Sequence, residues 1–313
     1  MPQHSARLPL VMATEALPPA ITQVLATTHD LQPFSPEANP HARVLVTDPG
    51  RGVTAAMMDA VPGLELIAVY GVGIDAVDLA AAAARSIRVI NTPGLLTDAV
   101  ADLAMALLLS SARAIPASDT YVRSGRWTNL VAQLPLGRGL RGRRLGIVGL
   151  GGIGYQIALR AQGFGLIIAW HGPRPKDVPW RHEPDLTALA EDSDFLILAC
   201  PANAQTRGIV NAGVLAALGP QGTLVNVARG SIVDEPALIE ALETGTLGFA
   251  ALDVFADEPN VPARLRALPN VILTPHQGSA TQDTREAMGR LLINNLAAFF
   301  ADQPLPTPVA LPA

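Results

Sequence analysis

The stretch LGIVGLGGIGYQIALRAQGFGLIIAWHGPRPK, Leu145 to Lys176, decides the fold. Its opening, Leu145 to Val148, is an uninterrupted apolar run that ends in turn glycines, the pattern of a parallel strand buried on both faces. Gly149, Gly151 and Gly154 follow in the spacing G-x-G-x-x-G. The first permits a tight turn, the second lets backbone approach a pyrophosphate, and the third lets the new helix close on its strand. A helix over Ile153 to Gln162 aims its first amides and the positive end of its dipole at the phosphates. Gly149, Gly151, Gly152, Ile153 and Gly154 are therefore read as the cofactor turn. A second apolar strand, Leu166 to Trp170, completes the strand–helix–strand unit. A glycine triplet alone also describes a surface turn; the flanking strands and helix favour dinucleotide binding.

The end of that second strand bears on which dinucleotide. NAD-binding folds place Asp or Glu about 20 residues after the glycines to hold the ribose 2'-hydroxyl. Here the residues are Ala169, Trp170, His171, Gly172, Pro173, Arg174, Pro175 and Lys176, with no acid among them. Arg174 and Lys176 stand where a 2'-phosphate would sit, and a guanidinium fork suits phosphate. Two solvated loop cations are the plain alternative, but absence of the acid together with presence of the cations favours NADPH over NADH.

At 313 residues the chain suggests two domains, and its 49% hydrophobic content supplies two cores. A formal charge of -5 leaves no basic footprint for nucleic acid, and no polybasic segment addresses a membrane. Cys200 is the sole cysteine, which excludes a disulfide framework and a cysteine-type zinc cluster; no metal is expected. The N-terminal residues lack the apolar core and small-residue cleavage site of a signal peptide, and no run reaches the length of a membrane span. A cytoplasmic protein is expected.

From Leu8 to Ile90 short strands alternate with helices: Leu8–Met12, helix Pro19–Leu25, Arg43–Thr47, helix Val53–Asp59, Leu64–Tyr70, helix Asp75–Ala84 and Ile87–Ile90. Such alternation predicts a parallel sheet covered by helices. Gly71-Val72-Gly73-Ile74-Asp75 lies between a strand and a helix, so it is either a carboxylate-binding turn or an ordinary strand-to-helix connection. Asn91-Thr92-Pro93-Gly94 breaks the pattern, and a helix starts near Leu96 with Thr97 as a candidate cap. The run ADLAMALLLSSARA, Ala101 to Ala114, is apolar nearly all round, which requires burial in a core or against a second subunit. The Gly- and Arg-rich segment from Tyr121 to Arg141, containing Trp127, is an ordered loop or a subunit contact.

After Lys176 strands are expected at Phe195–Ala199, Thr223–Val227, Gly248–Leu252 and Val271–Leu273, with a helix over Glu235–Glu243, which makes a six-stranded dinucleotide sheet. Polar residues fall just past three strand ends: Arg229, then Asp253 and Glu258, then His276. The carboxyl rim of such a sheet is where chemistry is placed.

The strings GVGIDAVDL (71–79), NTPGLLTDAVADLA (91–104), GIVGLGGIG (146–154), LVNVARGSIVDEPALIEAL (224–242), ALDVFADEP (251–259) and LTPHQGSAT (273–281) resemble, in order and spacing, the motifs of the D-isomer-specific 2-hydroxyacid dehydrogenases. Within them, WHGPRPK resembles the NADPH-dependent glyoxylate/hydroxypyruvate reductase branch. The resemblance implies that His276 donates the proton to the substrate carbonyl, that Glu258 hydrogen-bonds its imidazole and keeps it protonated, and that Arg229 binds the 2-oxo acid. It implies that the amides of Val72 and Gly73 hold the substrate carboxylate. It assigns Cys200, Pro201, Val227, Asp253 and Gly278 to the cofactor, with His171, Arg174 and Lys176 around the 2'-phosphate.

The implied architecture is α/β, with a Rossmann NADP-binding domain over residues 92–280 inserted into a flavodoxin-like substrate domain over 1–91 and 281–313. The last helix, Thr281 to Phe300, would return to the first domain, and an arm over about 100–141 would form a homodimer interface. Gly152 stands where relatives often carry Arg, and Leu134 where some eukaryotic members carry Trp. The expected reaction is NADPH-dependent reduction of a small 2-oxo acid, glyoxylate or hydroxypyruvate, with domain closure excluding water. The same chemistry on 2-ketogluconate or pyruvate, and a non-catalytic nucleotide-sensing module, are the alternatives.

Overall fold

The computed structural model describes residues 8–130 and 134–312. The chain divides into two compact units, Met1–Leu96 with Ala280–Ala313, and Thr97–Ser279. Residues 92–96 stay with the first unit, because the Thr92 amide donates to the Gly71 carbonyl at 2.8 Å and Leu96 packs on that unit's core.

In the first unit, strands β1 (Leu10–Ala13), β2 (Asp30–Pro33), β3 (Val44–Thr47), β4 (Leu66–Val69) and β5 (Arg88–Ile90) form one parallel sheet in the order β2-β1-β3-β4-β5. That is the doubly wound order of flavodoxin-like folds. Side chains alternate between faces as the pleat requires: Val44, Val46, Leu66 and Ala68 enter one core, Leu45, Ile67 and Val69 the other. Helix α1 (Pro19–Thr28) contributes to the first core; α2 (Ala55–Asp59) and α3 (Leu79–Ala84) cover the second. The latter two begin later than the apolar pattern suggests, because Thr54 and Asp78 cap them by accepting from the amides of Met57 and Ala81. Strand β2 was not expected. It is a polar edge strand, DLQP, with no apolar alternation, and it exists through pairing with β1.

The second unit opens with α4 (Thr97–Ala112) and α5 (Ile115–Arg123). Thr97 is the first residue of α4, whose buried residues include Val100, Ala101, Ala104, Met105, Leu107 and Leu108. Helix α5 replaces part of the expected arm, and residues 131–133 of that arm lie outside the described residues. Strands β6 (Arg144–Val148), β7 (Ile167–His171), β8 (Arg181–His182), β9 (Phe195–Leu198), β10 (Thr223–Asn226), β11 (Phe249–Leu252) and β12 (Val271–Leu273) form a parallel sheet in the order β12-β11-β10-β9-β6-β7-β8. Counted from β6, this is the Rossmann order 3-2-1-4-5-6 extended by one strand. Seven strands stand where six were expected, because β8 is two residues long and carries no periodic signal; it pairs with Ala169 and Trp170 of β7. Helices α6 (Gly152–Gly163), α7 (Leu186–Glu191), α8 (Ala212–Leu218), α9 (Glu235–Thr244) and α10 (Ala263–Ala267) complete the unit.

Helix α11 (Gln282–Phe300) belongs to the first unit, where its buried Met288, Leu292, Leu296 and Phe299 join the core that contains Leu25. Among the described residues no single helix is long and apolar enough to cross a membrane. The Phe299 ring is fully buried, with the guanidinium groups of Arg43 and Arg88 at 4.9 and 4.7 Å from its centroid. Phe299→Ala should destabilise the first unit by about 3–5 kcal/mol, the usual cost of deleting a buried aromatic ring, read as a lower denaturant midpoint.

Candidate active site

Loops at the carboxyl ends of β10, β11 and β12 carry the polar residues of the second unit. Asn226, 1% exposed, ends β10 and brackets its loop by accepting from the Ala228 amide at 3.0 Å and donating to the Arg229 carbonyl at 2.9 Å. Gly230 lets this loop press on the next one: a Cβ there would lie 1.9 Å from the Phe255 carbonyl carbon. The Phe255 amide in turn donates to Glu258 Oε1 at 3.0 Å, and Glu258 Oε2 meets His276 Nδ1 at 2.7 Å. One chain of contacts thus links Arg229, Glu258 and His276.

His276 adopts a left-handed backbone, φ +51°, which costs energy for a residue with a Cβ. Asp253 holds it there. The Asp253 carbonyl accepts from the His276 amide at 2.9 Å. Its carboxylate accepts from Thr274 Oγ1 at 2.6 Å and from the amides of Gln277 and Gly278 at 2.7 and 2.9 Å. Asp253 is 1% exposed: its carboxylate lies beneath the loop, which occupies both of its oxygens. Burial pushes its pKa up, only partly offset by those bonds and the His276 charge. Sequence reasoning missed Asn226 altogether; the available signal was a polar residue closing the otherwise apolar run Leu224-Val225-Asn226-Val227.

Glu258 has the opposite balance. Burial pushes its pKa up, but the bonds from His276 and the Phe255 amide, with the charges of His276 and Arg229, outweigh that and lower it. A carboxylate on Nδ1 fixes a proton there, which leaves Nε2 as the ring nitrogen that this contact does not occupy. Arg229 Nη1 donates to the Ala228 carbonyl at 2.7 Å, orienting the guanidinium at the same rim.

The glycine turn fits a dinucleotide. Gly149 sits at φ +92° with a hypothetical Cβ 2.6 Å from the Cys200 Cα, and a Cβ on Gly154 would lie 2.0 Å from the Gly149 carbonyl oxygen. Gly151, by contrast, faces open space at the start of α6, with nothing within 4 Å, and Gly152 and Ile153 form the first helical turn behind it. The residues present therefore suit a pyrophosphate held by backbone amides. Cys200 and Val227 are 9% and 8% exposed, which limits them to contacts at their exposed edges, while Pro201 is exposed and Gly278 is buried against Val100. Burial raises the Cys200 thiol to about 11.

Beyond β7, His171 accepts the Gly149 amide through its carbonyl at 2.8 Å and places Nδ1 3.0 Å from the Glu183 carbonyl. Arg174 is exposed, without a partner among the described residues. Lys176 is engaged: its Nζ donates to the Leu150 carbonyl, inside the glycine turn, at 2.6 Å. A cavity of about 770 Å³ on the opposite, amino rim of the sheet is lined by residues including Arg126, Leu134, Leu136 and Arg138.

In the first unit, Val72 and Gly73 follow β4 and are half-buried. Asn91 Nδ2 donates to the Val72 carbonyl at 2.9 Å, and the Val72 and Gly73 amides have no backbone acceptor among the described residues.

The profile of the D-isomer specific 2-hydroxyacid dehydrogenase NAD binding domain matches residues 105–278, more than half the chain. The chain belongs to that family. It is thus an oxidoreductase with a nicotinamide-dinucleotide domain of Rossmann type. A 2-ketogluconate reductase of Gluconobacter oxydans is 41% identical over 307 residues, covering 96% of this chain and 98% of its own. The glyoxylate/hydroxypyruvate reductase A of Arabidopsis thaliana is 44% identical over 268 residues, 85% of each chain. Among solved structures, the NADPH-dependent glyoxylate/hydroxypyruvate reductase of Sinorhizobium meliloti, in complex with NADP and malonate, is 41% identical with a TM-score of 0.91. That comparison spans 96% of this chain and 97% of that one.

The family's site carries a stability signature here. A depressed Glu258 contributes stability that is full above its ordinary value of 4.5 and is lost as pH falls through the lower folded value. Melting temperatures of the wild type and Glu258→Gln should therefore differ well above 4.5 and converge only as pH falls below 4.5 through the lower folded value; a gap that ignores pH would contradict the assignment.

Proposed function

We propose that this dehydrogenase reduces a small 2-oxo acid, such as glyoxylate or hydroxypyruvate, to the D-2-hydroxy acid with NADPH. The observation that carries this reading is the 2.7 Å contact between His276 Nδ1 and Glu258 Oε2 on the carboxyl rim, with Arg229 beside it. The bound nicotinamide cofactor supplies the hydride that reaches C2. Glu258 holds the Nδ1 proton and stabilises the imidazolium, so His276 Nε2 delivers a proton to the carbonyl oxygen. Arg229 stabilises charge as it develops on that oxygen. In this assignment the second unit is the cofactor domain and the first the substrate domain, whose Val72 and Gly73 amides suit a carboxylate. His276→Ala should lower kcat by about 100-fold or more, with cofactor affinity, read by fluorescence titration, changed by less than about threefold. A fall in affinity with kcat intact would remove His276 from the acid role.

NADPH is the cofactor we assign, on the exposed Arg174 fork and the missing acid after β7. The engagement of Lys176 with Leu150 divides the labour between the two cations. Arg174→Ala should raise the Kd of NADPH about tenfold while leaving that of NADH within about twofold, the effect of losing one charge-assisted phosphate contact. Lys176→Met should weaken both cofactors alike, because it loosens the turn that holds their common pyrophosphate. A second copy of this chain is the partner this reading implies: Leu130 and Leu136 are 96% and 98% exposed, and Trp127 is 52% exposed.

A further inference from the structure

The segment after α11 folds back along the first unit. Leu305 packs on the core that contains Leu25, and Val309 and Leu311 pack on the core across the sheet. Pro308 bridges Ile90 in antiparallel sense and the Val309 amide donates to the Val89 carbonyl at 2.8 Å, so the segment covers the open side of β5, an edge strand. Thr307 sits among these anchors, half-buried, and its bonds lead elsewhere. Its hydroxyl donates to the Asn91 carbonyl at 2.7 Å and accepts from Asn295 Nδ2 at 3.0 Å, while its amide donates to Asn295 Oδ1 at 3.2 Å. Asn295, on α11, is fully buried, and its Nδ2 also donates to the Leu291 carbonyl at 2.9 Å.

Asn91 follows β5 and borders the turn Gly71-Val72-Gly73. Its Nδ2 donates to the Val72 carbonyl at 2.9 Å, and the Thr92 amide beside it donates to the Gly71 carbonyl at 2.8 Å. A trans peptide is planar, with its C=O and N–H pointing in opposite directions, so holding one fixes the other. The bond on the Gly71 carbonyl therefore sets the direction of the Val72 N–H, and the bond on the Val72 carbonyl sets that of the Gly73 N–H. Both amides point away from the Asn91–Thr92 peptide, and neither has a backbone acceptor among the described residues.

The same rule carries the order one step further back. The Asn91–Thr92 peptide is held at its oxygen by the Thr307 hydroxyl and at its N–H by the Gly71 carbonyl. Donors thus run in one direction: from Asn295 Nδ2 to Thr307 Oγ1, through the Asn91–Thr92 and Gly71–Val72 peptides, to the Val72 N–H. Aligned hydrogen bonds polarise one another, so the last donor is strengthened as well as aimed. A hydroxyl is suited to the middle of this relay because one atom both accepts and donates. We propose that Thr307 is a positioning residue for the substrate carboxylate: its hydroxyl, held by Asn295, fixes the Asn91–Thr92 peptide and thereby aims the Val72 and Gly73 amides. The role rests on the reductase reading, in which those amides hold the carboxylate, and it extends the substrate site to a residue that touches no substrate.

The test is steady-state reduction of glyoxylate and hydroxypyruvate by the whole protein carrying Thr307→Val or Thr307→Ser. Valine keeps the shape and removes the hydroxyl, and Leu305, Val309 and Leu311 keep the segment docked. Thr307→Val should raise KM about fivefold, the scale of one hydrogen bond between neutral groups, and by the same factor for both acids, because the carboxylate is what they share. Its kcat and its Kd for NADPH should stay within about twofold of wild type, as when binding common to ground and transition states is lost. Thr307→Ser restores donor and acceptor on one atom and should return KM to within about twofold of wild type. An unchanged KM in Thr307→Val, a rise for one acid only, a loss confined to kcat, or a serine variant that fails to rescue overturns the positioning role and leaves the reductase reading standing. A wild type that reduces neither acid overturns the reductase reading and the positioning role with it.

Discussion

The buried carboxylate of Asp253 is the constraint on which the rim carrying His276 depends. A carboxylate removed from water is costly unless its oxygens are satisfied, and here a hydroxyl and two backbone amides of the following loop satisfy them. Those donors can converge only if the chain turns sharply at His276, so the acid stabilises a left-handed residue that would otherwise relax. The imidazole is consequently presented from a fixed backbone, and Glu258 has only to orient its ring. Asn226 does the same for the loop carrying Arg229, with a neutral amide in place of the acid. Both brackets sit at the last buried position of a strand or just past it, where a polar side chain can reach back beneath its own loop.

The cofactor turn is built on a different principle, the removal of side chains. Gly149 and Gly154 are required by contacts within the protein, whereas Gly151 is required by the space it leaves in front of α6. Lys176 closes this turn from the far side, by reaching from the loop after β7 to the Leu150 carbonyl. A cation that reads as a phosphate ligand in the sequence is thus a strut for the glycine turn.

Much of this was legible in the chain itself. Apolar runs such as Leu145 to Val148 and Phe195 to Leu198 read as buried parallel strands because burial on both faces leaves no polar residue in them, and the glycine spacing carries its own steric logic. Elements whose existence depends on neighbours were not legible. Strand β2 is polar, β8 is two residues long, and both form because an adjacent strand offers its backbone; helices α2 and α3 start where their caps are, not where the apolar pattern begins. The count of strands and the boundary at Leu96 differed from expectation for the same reason.

By itself, the sequence determined the α/β class, the dinucleotide turn and the identity of the polar residues past each strand end, since these follow from local periodicity, backbone sterics and side-chain chemistry. Only the tertiary structure decided what those residues face: that Asp253 turns inward while Glu258 meets His276, that Lys176 bonds the glycine turn while Arg174 stays open, and that Thr307 bonds the Asn91 carbonyl. These are contacts between segments far apart in the chain, set by strand order and loop packing, and no local pattern encodes them.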